Sequence, residues 1–173
     1  MNVSTTMASP VGELTLIASD TGLRAVLWPQ ERRQHGSWPD DAIERPDHPV
    51  LVAAMSQLHQ YFAGARRAFD LPLDLHGTDF QRKAWRALAT IPFGSTVAYG
   101  EQAARLGDAR KARAVGAANG RNPVSIVLPC HRVVGANGSL TGFAAGLETK
   151  RWLLDHESRV VRGLAPARPL SLR

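Results

Sequence analysis

A thiol stands beside an imidazole in the run Asn122-Pro123-Val124-Ser125-Ile126-Val127-Leu128-Pro129-Cys130-His131-Arg132-Val133-Val134. The thiolate is the reactive form of cysteine, and a neighbouring base lowers the cost of making it at neutral pH. Cys130 is also the single cysteine of the chain, which excludes an internal disulfide and any site built on several thiolates. A lone cysteine after apolar residues is equally what a small core hydrophobe looks like. Chain neighbours on a strand face opposite ways, so adjacency alone does not join the two groups. Pro129 interrupts the strand and could bring them together. Further on, Lys150, Leu153, Leu154 and Glu157 share one face of a helix, which puts a carboxylate on the leucine side. A buried carboxylate needs a partner. A salt bridge would serve, and so would His131, which the carboxylate would orient and hold as a base.

A second feature suggests a partner. Residues 109–119 form a helical pattern opened by Asp108 and closed by Gly120, with Ala114, Val115 and Ala118 as its core-facing stripe. The opposite stripe is Arg110, Arg113, Ala117 and Arg121. Gly116 and Ala117 keep that face low, so backbone could approach a groove while the arginines reach phosphates. A shorter helix over 99–106 precedes it, joined at Gly107, in the outline of a helix-turn-helix.

These groups need elements to position them. Residues 11–28 read as a β-hairpin around Asp20-Thr21-Gly22, and 29–46, with Pro29, Gly36, Pro39 and Pro46, read as a loop. Leu51, Met55, Leu58 and Phe62 recur at helical spacing after Pro49. Phe69, Leu71, Leu73 and Leu75 alternate as a strand does. Thr78-Asp79-Phe80-Gln81 is a capping box, opening a helix that buries Phe80, Ala84, Trp85 and Leu88. Residues 125–128 read as a short buried strand, 141–146 as a small-residue loop, and 147–157 as the last helix.

The expected division is therefore an α/β unit over 1–77, a mainly helical unit over 78–157, and a basic, flexible tail over 158–173. Charge follows it. Residues 1–77 carry six Lys/Arg against nine Asp/Glu, residues 78–157 eleven against six, and the tail four Arg with no acid. That asymmetry fits a polyanion-binding second half. No apolar run reaches the roughly 20 residues that span a bilayer, and Met1-Asn2-Val3-Ser4-Thr5-Thr6 lacks the marks of a signal peptide. A cytoplasmic protein is expected, with no metal site.

The run Pro129-Cys130-His131-Arg132-Val133, with Asn122 upstream and Gly146 and Glu157 downstream, resembles the signature of O6-alkylguanine-DNA alkyltransferases. Phe80-Gln81, Ile91-Pro92-Phe93-Gly94, Tyr99-Gly100 and Arg113-Ala114-Val115-Gly116 fall at the spacing of that family. The resemblance covers roughly 78–157 and is weaker over 1–77. It implies a ribonuclease-H-like N-terminal domain and a winged-helix-like C-terminal domain. It implies that Cys130 accepts the alkyl group once and irreversibly, without cofactor. His131 would act through a water held by Glu157, and Asn122 would brace the turn. Tyr99 would press on the target phosphate and assist the departing guanine. Arg113 would fill the gap left by a flipped base, on a helix whose Ala114, Gly116, Arg110 and Arg121 meet the minor groove. Pro129, Val133 and Phe143 would line the substrate pocket. Phe143 stands where the family commonly has tyrosine, and the cysteines of the zinc site found in some relatives are absent.

The expected partner is double-stranded DNA carrying O6-alkylguanine, and also O4-alkylthymine, met by a monomer that could cluster along the duplex. Three rival readings exist. An alkyltransferase-like lesion binder lacks the cysteine, so Cys130 speaks against it. A winged-helix regulator would not need Asn122, His131 and Glu157 together. A cysteine hydrolase would need an oxyanion signature that is missing.

Overall fold

The computed structural model describes residues 1–31, 39 and 41–170. Gly36 of the expected 29–46 loop and residues 171–173 of the expected tail lie outside the described residues.

Strands β1 (Val3–Met7), β2 (Leu14–Ala18), β3 (Leu23–Leu27) and β4 (Ile43–Glu44) form one sheet in the order β3-β2-β1-β4. The hairpin expected over 11–28 is β2–β3, antiparallel, with Leu16 opposite Val26. Alternation explains its orientation: Leu14, Leu16, Leu23 and Val26 are buried in the main core, while Ile17, Ala25 and Leu27 form a small cluster of their own. The expected loop over 29–46 is corrected at its end, where β4 pairs parallel with β1. The strand expected around 69–75 is corrected as well. It is an extended segment touching β3 through a single bridge at Leu23–Leu73, with Leu23 N donating to Pro72 O and Asp74 N to Leu23 O.

Helix α1 (Pro49–Phe62) lies on this sheet, with Pro49 at its first position and the His48 side chain accepting from Val50 N. Leu51, Ala54, Leu58, Tyr61 and Phe62 are its buried residues. Helix α2 (Asp79–Leu88) opens with the expected capping box, Thr78 Oγ1 accepting from Gln81 N and Gln81 Oε1 from Thr78 N. Strand β5 (Val97–Ala98) leads directly into α3 (Tyr99–Arg105), and a 3₁₀ turn at Ala109–Lys111 leads into α4 (Ala112–Gly120). Buried amides lock these three helices together. Gln102 and Asn119 exchange hydrogen bonds at 2.9 and 3.3 Å, Gln102 donates to Ala84 O, and Trp85 Nε1 donates to Ala118 O at 2.7 Å.

A 3₁₀ turn at Cys130–Arg132 runs into β6 (Val133–Val134), parallel to β5, and α5 (Leu147–Val161) closes the helical half. The molecule thus has an N-terminal sheet domain and a C-terminal helical domain that share one hydrophobic core, from Leu16 and Tyr61 to Trp85 and Leu153. Helix α5 runs past the expected end at 157. The segment after it, expected to be a flexible tail, is held by Trp152 Nε1 donating to Arg168 O and Leu170 N donating to Pro10 O. No helix among the described residues is long and apolar enough to cross a membrane.

Candidate active site

The strand expected over 125–128 is a tight turn. Val124 bridges to Val26 of β3, Ser125 pairs with Leu128, and Ile126 takes φ 73°, a left-handed conformation rare for a β-branched residue. Three apolar residues in a row after Ser125 imitate a strand, but the chain reverses within them. Asn122 clasps the reversal from inside, its Nδ2 donating to Leu128 O at 2.7 Å and its Oδ1 accepting from Val124 N at 3.1 Å. The braced turn delivers Pro129 and then the 3₁₀ turn bearing Cys130, His131 and Arg132, all buried.

His131 and Arg132 meet on Glu157. The Oε2 of Glu157 lies 2.6 Å from His131 Nε2 and 3.1 Å from Arg132 Nη2, and it accepts from Tyr61 Oη at 2.7 Å. Its Oε1 accepts from Arg132 Nε at 2.8 Å and from Gly94 N at 3.0 Å. Both partners considered for this carboxylate are therefore present at once. His131 and Glu157 are hydrogen-bonded directly to each other. Burial alone would raise the Glu157 carboxyl, but the charge and hydrogen bond of His131, with those of Arg132, outweigh it and hold the group well below the usual carboxylate range. The other ring nitrogen of His131, Nδ1, is buried with no hydrogen-bond partner among the described residues.

Burial pushes the Cys130 thiol up, opposed by the Asn122 side chain, by the charge of Lys150 and by the Ser125 side chain. Lys150 has no solvent exposure. Its Nζ donates to Val133 O at 2.7 Å and to Thr141 O at 3.0 Å, and it lies 5.7 Å from the Tyr99 ring centre and 6.0 Å from that of Phe143. Burial lowers its pKa, and proximity to Cys130 works the other way. Sequence reasoning placed Lys150 on the leucine face but gave it no role. Lysine is so commonly a surface residue that only its neighbours Leu153 and Glu157 hinted otherwise.

Tyr99, Asn119, Gly120, Asn122, Ser125, Cys130, Gly142, Phe143 and Ala144 border one small cavity with free space of about 10 Å³. Of the expected pocket residues, Phe143 lines it, packed on Trp28 of the N-terminal domain at 5.6 Å between ring centres. Pro129 and Val133 do not. Pro129 lines a separate groove with Phe69 and Phe93, and Val133 is fully buried with its carbonyl on Lys150.

Helix α4 presents Arg113, Ala114, Ala117 and Gly120 to solvent, with Arg110 just before it and Arg121 just after. Ala114, expected in the core stripe, is exposed; the buried residues are Val115, Ala118 and Asn119. Gly116 faces Tyr99, where an added Cβ would sit 3.7 Å from the ring. Arg110 is tied back to Asp108. Among the described residues no group of three or more His, Cys, Asp or Glu could hold a metal ion.

Residues 79–159 match the family model of the 6-O-methylguanine DNA methyltransferase DNA-binding domain, and residues 2–75 that of its ribonuclease-like domain. The methylated-DNA–protein-cysteine methyltransferase of Mycobacterium bovis is 47% identical over 152 residues, covering 88% of this chain and 90% of its own. That of Methanosarcina acetivorans is 44% identical over 149 residues, covering 86% and 94%. The crystal structure of Mycobacterium tuberculosis OGT in complex with DNA superposes with a TM-score of 0.82 at 43% identity, over 94% of each chain.

Proposed function

The chain belongs to the 6-O-methylguanine DNA methyltransferase family, and from that footing we propose that it repairs DNA by moving the alkyl group of O6-alkylguanine onto Sγ of Cys130. The observation that carries the reading is the pairing of His131 Nε2 with Glu157 while Nδ1 stays buried and unpartnered, one residue from the only thiol. Nδ1 is the nitrogen left to take the Cys130 proton, and Glu157 stabilises the imidazolium that forms. The thiolate attacks the alkyl carbon, an S–C bond forms, and the C–O bond breaks with its electron pair on the guanine oxygen. Tyr99 supplies a hydroxyl at the cavity for that developing charge. The product is a thioether, so each molecule acts once, with no cofactor.

The lesion lies inside the duplex, so the nucleotide must leave the stack, at a cost of a few kcal/mol. Arg113 fills the gap, and the low face of Ala114, Gly116 and Ala117, flanked by Arg110 and Arg121, rests in the minor groove. A flipped base enters beside Cys130, at the cavity that Gly142, Phe143 and Ala144 of the 141–146 loop border. Within the same reading, the N-terminal domain is ribonuclease-H-like and spans 1–77, and the C-terminal domain is winged-helix-like and spans 78–157. O4-alkylthymine is a second substrate, the site of action is cytoplasmic, and a monomer clusters along DNA.

The test is incubation with a duplex containing O6-methylguanine labelled in the methyl group, followed by mass analysis of the Cys130 peptide. One methyl per molecule on Cys130 is expected. Label elsewhere, or many lesions cleared per molecule, would overturn the proposal.

A further inference from the structure

Five donor contacts converge on Glu157, and four of them come from its own helical domain: His131 Nε2, Gly94 N, and two from Arg132. The fifth does not. Tyr61 lies in α1, 96 residues away in sequence, and its hydroxyl reaches the same Oε2 that holds His131. The ring is fully buried, seated among Phe62, Phe69, Phe93 and His156, and its backbone oxygen lies 2.8 Å from His156 Nε2.

We infer that Tyr61 is a positioning residue for alkyl transfer, a hydroxyl lent by the N-terminal domain that draws charge from Glu157 and so restrains proton transfer from Cys130 to His131. This rests on the function proposed above. Placing Glu157 does not require Tyr61, because Arg132 grips both oxygens and Gly94 N fixes one of them. What remains specific to Tyr61 is the oxygen it chooses. A hydrogen bond to a carboxylate oxygen disperses its charge, which weakens the pull of that oxygen on an imidazolium. Burial and the adjacent carboxylate raise the Tyr61 hydroxyl well above its ordinary value, so it stays a donor throughout the working pH range. The logic suits a protein that spends its only thiol in one event. A Cys130 kept protonated in a buried site does not react with stray electrophiles before a base arrives.

The titratable and charged groups around this point are His131 and Arg132 on the 3₁₀ turn, His156 and Lys150 on α5, Cys130 itself, and Arg67, whose guanidinium lies over the Phe93 ring. Burial keeps His156 below its ordinary pKa, so it is uncharged at neutral pH.

The experiment compares the parent with Tyr61→Phe, which keeps every ring contact and the backbone oxygen. Rates of Cys130 modification are measured from pH 5.5 to 9 with two reagents: the methylated duplex at single turnover, and iodoacetamide. Removing the hydroxyl leaves His131 the stronger base, so the acid limb of both profiles is expected to move to higher pH by about half a unit while the plateau above it rises about three-fold. Thermal unfolding is followed in parallel. Profiles that superpose on the parent, that shift to lower pH, or that fall by one factor at every pH would overturn the inference, the last by reducing Tyr61 to a structural role. The iodoacetamide arm needs no lesion. It therefore tests Tyr61 even if the parent fails to take methyl from DNA, a result that would sink the proposed function instead.

Discussion

The surroundings of Glu157 and the outer face of α4 are opposites. At Glu157 both carboxylate oxygens are saturated and His131, Arg132 and Tyr61 are all buried. On α4 the side chains of Arg113, Ala114 and Ala117 are exposed, and half-buried Gly116 lies beside Tyr99. The first region is finished before any substrate arrives, as preorganised chemistry requires. The second is left incomplete, as a surface must be if DNA is to complete it. Removing a charged member of the first should cost both activity and folding; substitutions in the second should cost activity on duplex alone.

The largest effect belongs to Cys130→Ser. Transfer should fall by at least about a thousandfold, because a hydroxyl is a far weaker nucleophile at neutral pH, while DNA binding stays near parental. Label transfer and a binding titration on one preparation check this; loss of both together would mean that the buried thiol is chiefly a packing group.

Glu157→Gln comes next. The rate should fall on the order of 10²–10⁴-fold, and stability by about 3 kcal/mol, since Arg132 is left buried without its charge partner. Denaturant unfolding beside single-turnover kinetics separates the two losses. A folded variant alkylated at the parental rate would erase the contrast between the regions.

Arg113→Ala should sharpen it. Duplex repair is expected to drop about tenfold, roughly 1.4 kcal/mol, with thermal stability unchanged and reaction with free O6-alkylguanine base nearly intact. A simple phosphate contact would instead lower the salt slope by about one and weaken all DNA alike. Equal loss on duplex and free base would point to misfolding.

The smallest effect is in acid. Glu157 has a folded pKa below its unfolded one, so its contribution is fully present above the ordinary carboxylate range, about 4.3, and is lost as the pH falls toward the folded value. The parent should therefore lose stability more steeply than Glu157→Gln below about pH 4. Parallel unfolding curves across that range would show that the carboxylate is not held ionised by its partners.

Local signals were legible and distant ones were not. The capping box at Thr78, Pro49 at the start of α1 and the β2–β3 turn are each written within a few residues, and each stands where expected. Strand β4 is two residues long, too short for any period to register. Val124 to Leu128 has the composition of a strand, and only the Asn122 clasp, which no pattern announces, turns it back. Ala114 departs from the expected α4 stripe because alanine suits either side; the buried polar Asn119, paired with Gln102, marks the inner face. His131 with Glu157 could be suspected from a carboxylate on a leucine face. Tyr61 could not, since nothing near it in sequence refers to Glu157.

That last separation bears on the order in which the protein assembles. The β2–β3 hairpin and the individual helices close short loops and should form early, whereas the Tyr61–Glu157 contact must gather segments 96 residues apart and pay the full entropy of doing so. A refolding chain should recover its helical circular dichroism before it recovers a thiol that can be alkylated. In that interval the molecule already has helix α4 but not its chemistry, so a newly made chain would meet damaged DNA before it is able to mend it.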